Sequence, residues 1–453
     1  MSFQRSHCCR FLGASVLLLA LAGCQQALNT EPQQFSPPAV LGHEILVRYQ
    51  LPPAIPPVGL TLINRDLNLY AWRVPQGHQL AQDLQNFQRD PQIRYAEVSQ
   101  IYPMEPFQVA DLPDTPEAFA AEIFPKMESL WNLKTIQVPE AWKQLQNPQP
   151  VKVAIIDSGV DPQHPFLKQN LLPLEDIWNE VQGKDILRNL RDPSFNQDYQ
   201  GRDGNGHGTH IAGIIQMVAN QGKPEGPIQI LPIKATNLEG ATDAHLLTQA
   251  LQRAMDKDAE LINLSIGTVG LRNPSGSQAL KDMVALVQTK GIAIVAATGN
   301  ESQRSRSAVA RISAPAFYEG VISVGAVTDQ LQIADYSNGG PEIELVAPGG
   351  GSKLQGGEKI LSTWPTYPTL ENFKLAVETL GYASTSGTSM ATPHVTGTLA
   401  LILSQEPHLN PTQLRARLMV TATPMVKTGF DSASGWGRLD AFKALTFKAD
   451  DAN

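Results

Sequence analysis

Two textures of hydrophobic spacing divide the chain. In the first, short patterns follow closely on one another: 44–49 and 68–74 alternate with a period of two, Leu80, Leu84 and Phe87 recur at helical spacing between 77 and 89, and 93–98 alternates again. These patterns predict a small α+β unit. In the second texture, apolar runs at 151–156, 228–233, 260–265, 291–296 and 320–327 are separated by helical patterns at 208–218, 244–255 and 277–289. Two further helical stretches, 389–404 and 411–420, close it. Strands that do not alternate are buried on both faces, so this half predicts an α/β body with a mostly parallel sheet covered on both sides.

Between the two halves the periodicity fails. Prolines at 103, 106, 113, 116 and 125, with acidic residues at 105, 111, 114, 117, 122 and 128, make 105–128 an acidic, proline-rich linker that a protease could reach. Composition adds little to the fold but narrows the partners. An apolar fraction of 42% is ample for a large core, and a net charge of -8 offers no basic field for phosphate, so nucleic acid is not an expected partner.

The N-terminus has its own pattern. Arg5, His7 and Arg10 precede an apolar run from Phe11 to Ala22 that ends Leu21-Ala22-Gly23-Cys24, the layout of an export signal. That ending resembles the bacterial lipoprotein box, which implies a signal peptide over 1–23 and lipid on Cys24 that holds the protein on a membrane; plain secretion is the alternative. Residues 24–40 are rich in Gln, Pro and Ser, as a flexible tether would be. Because Cys8, Cys9 and Cys24 are the only cysteines, no disulfide is expected in the mature body.

Four places put a reactive group at a strand end or a helix start, where α/β sheets collect ligands. Asp157 ends an apolar strand in Ile156-Asp157-Ser158-Gly159-Val160, where it needs a partner unless it only caps a turn. His207 stands between glycines in Asp203-Gly204-Asn205-Gly206-His207-Gly208-Thr209-His210. Zinc shared with His210 is a competing reading, but the HExxH arrangement and a third ligand type are absent, so His210 is expected to pack or bond within the helix. Asn300 follows a strand in Ala296-Ala297-Thr298-Gly299-Asn300 and can donate an NH to an oxyanion or simply form a turn. Ser389 lies in Gly387-Thr388-Ser389-Met390-Ala391, a nucleophile turn or a helix cap. Together the four supply orienter, base, oxyanion donor and nucleophile. Their order of acid, histidine, serine also separates the chain from α/β-hydrolases, and hence from esterases and lipases of that type.

With Gly206-His207-Gly208-Thr209-His210-Ile211-Ala212-Gly213 and Gly387-Thr388-Ser389-Met390-Ala391-Thr392-Pro393-His394, these blocks resemble the subtilisin-like serine peptidases, over about 131–445. The resemblance implies a three-layer fold over 129–447 with a short tail at 448–453. It also implies a serine endopeptidase with Asp157, His207 and Ser389 as the triad and Asn300 in the oxyanion hole, acting on extended polypeptides. Ser265, Ile266 and Gly267 would pair with substrate; Ala296, Ala297, Thr298 and Gly299 would wall the pocket for the side chain before the scissile bond, and Ser313 would make its floor shallow. Residues 41–104 resemble the family's inhibitory propeptide, which makes the chain an exported, self-processing precursor; a non-catalytic peptide-binding module is the alternative. Phe166 stands where many relatives carry a calcium-binding aspartate, and 219–227 departs from their calcium loop, so no cofactor is assigned and calcium is expected only if other ligands supply it. The segments 168–199 and 350–381 are expected as surface loops near the cleft.

Overall fold

The computed structural model describes residues 41–103 (apart from 42, 54 and 57), 124–188, 196–220, 226–267, 276–375 and 380–448. The export segment, Cys24, the tether and the linker from 104 to 123 lie outside them. The chain divides into two units, 38–185 with 198–453, and 1–37 with 186–197.

The first unit begins with a four-stranded antiparallel sheet made of Glu44–Tyr49 (β1), Leu60–Asn64 (β2), Leu69–Arg73 (β3) and Ile93–Val98 (β4), in the order β2-β3-β1-β4, with the helix Leu80–Arg89 (α1) across it. Alternation decides which side chain goes where. Ile45, Val47 and Tyr49 face α1, where Leu80, Leu84 and Phe87 cover them. Leu46, with Ile63, Leu69 and Ala71, points the other way into a core shared with the rest of the unit. The strand β2, which the spacing did not predict, is needed to complete this second face. A fifth strand, Ile101–Pro103 (β5), leaves the sheet.

The body follows with the short helices Trp131–Thr135 (α2) and Val138–Trp142 (α3) and the strand Val151–Asp157 (β6). Next come Glu175–Asp176 (β7), Ile177–Gln182 (α4), Ile186–Arg188 (β8), Asn196–Asp198 (β9), His207–Ala219 (α5), Ile228–Lys234 (β10), Ala241–Asp243 (β11), Ala244–Asp256 (α6) and Leu261–Leu264 (β12). Then follow Gln278–Thr289 (α7), Ala293–Ala297 (β13), Ile322–Val327 (β14), Leu345–Pro348 (β15), Ile360–Thr363 (β16), Leu370–Leu375 (α8), Tyr382–Thr385 (β17), Thr388–Gln405 (α9), Pro411–Thr421 (α10) and Ala441–Thr446 (α11).

Seven strands form one sheet in the order β15-β14-β13-β12-β6-β10-β7, and every pairing within it is parallel. Along β6, Val151, Val153 and Ile155 pack into the core that holds α5 and α9, while Ala154 and Ile156 pack into the core that holds α6 and α7. Two apolar faces on one strand explain why its sequence reads as a continuous run. The result is the three-layer arrangement, with the carboxyl ends of β6, β12 and β13 on one side of the sheet. Among the described residues no helix is long and apolar enough to cross a membrane.

Three expectations change. Ordered packing reaches into the expected linker, because Phe124–Ser129 forms a 3-10 turn and Met127 is buried. The segments 168–199 and 350–381 are more than surface loops: they contain β7, α4, β16 and α8, and they bury Trp178 and Trp364. A lone tryptophan in a polar stretch gives no periodicity, so the sequence pattern missed both.

Candidate active site

Asp157 is the last residue of β6 and is fully buried. A carboxylate there is tolerable because donors surround it: Ser158 N reaches Oδ1 at 2.8 Å, and Nδ1 of His207 lies 2.9 Å from Oδ1 and 3.0 Å from Oδ2. His207 is the first residue of α5. The residue before it, Gly206, has φ of 108°, and a Cβ there would come within 2.3 Å of the Trp364 indole, so both backbone and space require glycine.

Sequence reasoning missed what holds this pair together. The carboxylate of Asp203, entirely buried, accepts from Asn205 N at 3.0 Å, Gly206 N at 2.8 Å and Thr209 N at 2.9 Å, and from the hydroxyls of Ser158 at 2.9 Å and Thr209 at 2.7 Å. Ser158 in turn accepts from Gly208 N at 3.0 Å. One side chain thus ties the turn after Asp157 to the turn before His207. Burial pushes the Asp203 carboxyl above its usual range, against the pull of these donors. An acidic residue four positions before His207 was the available signal.

Ser389 is the second residue of α9 and is largely buried. Its hydroxyl donates to Ser265 O at 3.0 Å, and the Ser265 hydroxyl donates to Ser389 O at 3.0 Å, which fixes the helix start against the end of β12. Asn300 lies beyond β13. Its Oδ1 accepts from Thr388 N at 2.8 Å and from the Thr388 hydroxyl at 3.0 Å, and this orients the amide so that Nδ2 is the group left for a ligand.

A pocket opens beside Ser389. Ser265, Gly267, Ala297, Gly299 and Ser313, all expected, line it with Asn300 and Ser389. Glu301 and Thr388 also line it and were not singled out from the sequence, although each adjoins a residue that was. Ile266, Ala296 and Thr298 do not line it. The side chains of Ile266 and Ala296 turn into the core beneath α6 and α7, and the Thr298 carbonyl, not its side chain, meets Ser313 N at 3.0 Å. Alternation along the two strand ends sends every second side chain inward.

The remaining histidines of these motifs are structural. His210 Nε2 lies 3.2 Å from the carbonyls of Ile360 and of Ala383, so it bonds across to β16 and β17 rather than within its helix. Burial, then the neighbouring His207, pushes its pKa down to about 3. His394 sits between Asn132 Nδ2 and Met390 O, at 2.8 Å each, and burial lowers it to about 4. The Phe166 ring packs in the core, and a phenyl ring offers no oxygen to a hard cation.

A parallel sheet that brings an aspartate-bound imidazole, a serine at a helix start and a carboxamide to the carboxyl side of its strands defines, as a class, a serine hydrolase of α/β architecture. Comparison with known proteins gives the family. The model of the Subtilase family matches residues 149–437, and the chain belongs to that family as a subtilisin-like serine endopeptidase. It is 36% identical to subtilisin DY of Bacillus licheniformis over 60% of this chain and 84% of that protein. It is 32% identical to an intracellular serine protease of Paenibacillus polymyxa over 69% of this chain and 86% of that one. Among solved structures, fervidolysin of Fervidobacterium pennivorans, a keratinolytic enzyme related to subtilisin, shares the fold with a TM-score of 0.67 at 23% identity, over 92% of this chain and 62% of its own.

Proposed function

We propose that the chain is the self-inhibited precursor of an endopeptidase that cleaves extended polypeptides through an acyl-enzyme on Ser389. The observation that carries this reading is the seat of His207 Nδ1 on both oxygens of Asp157. With its proton on Nδ1 the imidazole has the tautomer in which Nε2 accepts, so it can take the proton of Ser389 as the hydroxyl attacks the carbonyl carbon. Asp157 then stabilises the imidazolium. The amide of Asn300 and the backbone NH of Ser389 meet the oxyanion, and His207 returns the proton to the leaving amine. Water repeats the sequence on the acyl-enzyme.

Residues 41–103 act as the internal inhibitor. β5 lies antiparallel on β11 with Ile101 opposite Asp243, Tyr102 opposite Thr242 and Pro103 opposite Ala241, and the Tyr102 ring is fully buried. Addition of an edge strand is how an extended substrate would bind at 265–267, and β5 docks on β11 in the same manner. Polar contacts hold the unit down: Glu97 accepts from Ser277 Oγ at 2.6 Å, Ala279 N at 2.9 Å and Gln278 N at 3.0 Å at the start of α7, and Tyr95 donates to Asp282 at 2.7 Å. Release follows a cut in the linker between 103 and 130. Export, and lipid on Cys24, complete the reading.

Incubation of the wild type and Ser389→Ala with a diverse peptide pool, read by mass spectrometry, tests all of it. The expected result is peptide cuts and a new N-terminus in the linker for the wild type alone, with Cys24 acylated in the uncut mutant. Equal cutting by Ser389→Ala removes the serine from its role. An active wild type whose N-terminus stays at residue 24 removes the release step, and an unmodified Cys24 removes the anchor.

A further inference from the structure

Of the ten large hydrophobic side chains that stand exposed among the described residues, four fall within 51–62: Leu51, Ile55, Val58 and Leu62, at 77%, 85%, 95% and 43% exposure. Single exposed aliphatics are ordinary, but four together mark a surface that meets something. No charged residue lies between Arg48 and Arg65, so the whole connection from β1 to β2 is apolar or neutral. This connection must cross the sheet, because β1 and β2 both run antiparallel to β3, which lies between them. It crosses on the α1 side: a Cβ on Gly59 would come within 2.7 Å of the Trp72 ring, and Trp72 packs edge-on against Phe87 of α1. Leu62 lies opposite Tyr70, whose side chain also belongs to the core under α1. The four side chains therefore share the outer face of the four-stranded unit, while the body covers its other face through Leu46, Ile63, Leu69 and Ala71.

Pro52, Pro53 and Pro56 fix φ along the connection, so it presents its aliphatic side chains at little ordering cost. An uncharged, aliphatic and pre-set surface suits the interfacial zone of a bilayer, where buried apolar area supplies the binding. The tether brings such a partner close. Sixteen residues, 25–40, separate Cys24 from the start of the described chain, and a flexible segment of that length spans about 20–25 Å. The strand β1 adds six residues, about 20 Å, before the connection begins. A bilayer that holds lipid on Cys24 is thus within reach of Leu51, Ile55 and Val58. Two modest attachments joined by a short tether hold a protein on a membrane far better than either alone.

Resting on the lipid reading of Cys24, we propose that Leu51, Ile55, Val58 and Leu62 enter the surface of a lipid bilayer and turn the outer face of the four-stranded unit toward it. The body then points away from the membrane, and a cut in the linker frees it while residues 41–103 stay behind. The test uses the precursor from residue 24 onward with Cys24→Ser and Ser389→Ala, which neither carries lipid nor cuts itself, and vesicles of phosphatidylethanolamine and phosphatidylglycerol. That protein has no cysteine, so Val58→Cys takes a polarity-sensitive thiol dye at one place. The dye should brighten about three-fold or more on vesicles, and the same dye on Leu354→Cys, exposed on the body, should not change. Leu51→Ser, Ile55→Ser and Val58→Ser together should weaken vesicle binding by about 10-fold or more. Binding should be the same at low salt and at about 0.5 M, as an uncharged contact requires. An unchanged melting temperature shows that the triple variant keeps its fold. No vesicle binding, binding that the triple variant retains, or binding lost in salt overturns the proposal and leaves the prolines to a protein groove. An unmodified Cys24 in the exported protein, beside vesicle binding through Val58, removes the anchor and leaves this proposal standing.

Discussion

The two sides of the site are built on opposite plans. On the Asp157 and His207 side both carboxylates are fully engaged: Asp203 alone takes five hydrogen bonds, and both carboxylate oxygens of Asp157 hold the imidazole. On the pocket side, Glu301 and Ser313 keep buried atoms without partners. A satisfied network fixes geometry, which is what proton transfer needs. Open acceptors leave interaction energy for a ligand, which is what selection needs.

The comparison can be broken most severely at the base. His207→Ala should lower kcat by about a million-fold, a magnitude known for subtilisin itself rather than one obtained from this geometry. Single-turnover kinetics on a peptide checks it, and a loss below 100-fold would deny His207 its role. Asn300→Ala should cost about 100-fold to 1,000-fold in kcat, again a value inherited from subtilisin, with KM little changed. A change in KM alone would make Asn300 a binding residue.

Asp203→Asn sharpens the contrast more gently. It turns one acceptor oxygen into an NH2 that faces backbone donors, so the turns before His207 and after Asp157 shift together. The account expects kcat to fall by about 10-fold to 100-fold with KM held, as for a small misplacement of catalytic groups. An equal loss in the rate of folding-independent substrate binding, seen as a raised KM, would assign Asp203 to the pocket instead.

The smallest effect concerns stability and pH. Burial depresses His210 to about 3, and His394 and His245 each to about 4, with Arg73 adding to the shift at His245. A histidine held below its unfolded value of about 6.5 takes up its proton more readily in the unfolded chain, so its stability is present above that pH and is lost as pH falls toward the folded value. Each such group therefore lowers stability progressively over that window. Melting temperatures of the Ser389→Ala protein should be level above pH 7 and fall steadily from about pH 6.5 to pH 4; a constant value down to pH 4.5 would contradict it.

The sequence was most informative where one physical rule acts alone. Strands buried on both faces leave continuous apolar runs, so the core of the parallel sheet was readable, and so were the pairing of Asp157 with His207 and the nearness of Asn300 to the start of α9 that carries Ser389. It was least informative where packing depends on distant partners. Trp364 shapes the Gly206 turn from 158 positions away, and β2 earns its place only by covering a face shared with α6 and α7. Glu301 shows a third limit: adjacency to Asn300 made it visible, but only the unpartnered oxygen distinguishes it from a surface carboxylate.

The central claim is that Ser389 is the nucleophile that His207 activates. Treatment of the processed protein with a fluorophosphonate, followed by peptide mapping, tests it most directly. The account predicts a single adduct on Ser389, formed in step with loss of peptidase activity and strongly slowed in His207→Ala. An adduct on another residue, or full peptidase activity with Ser389 unmodified after exhaustive treatment, would contradict it.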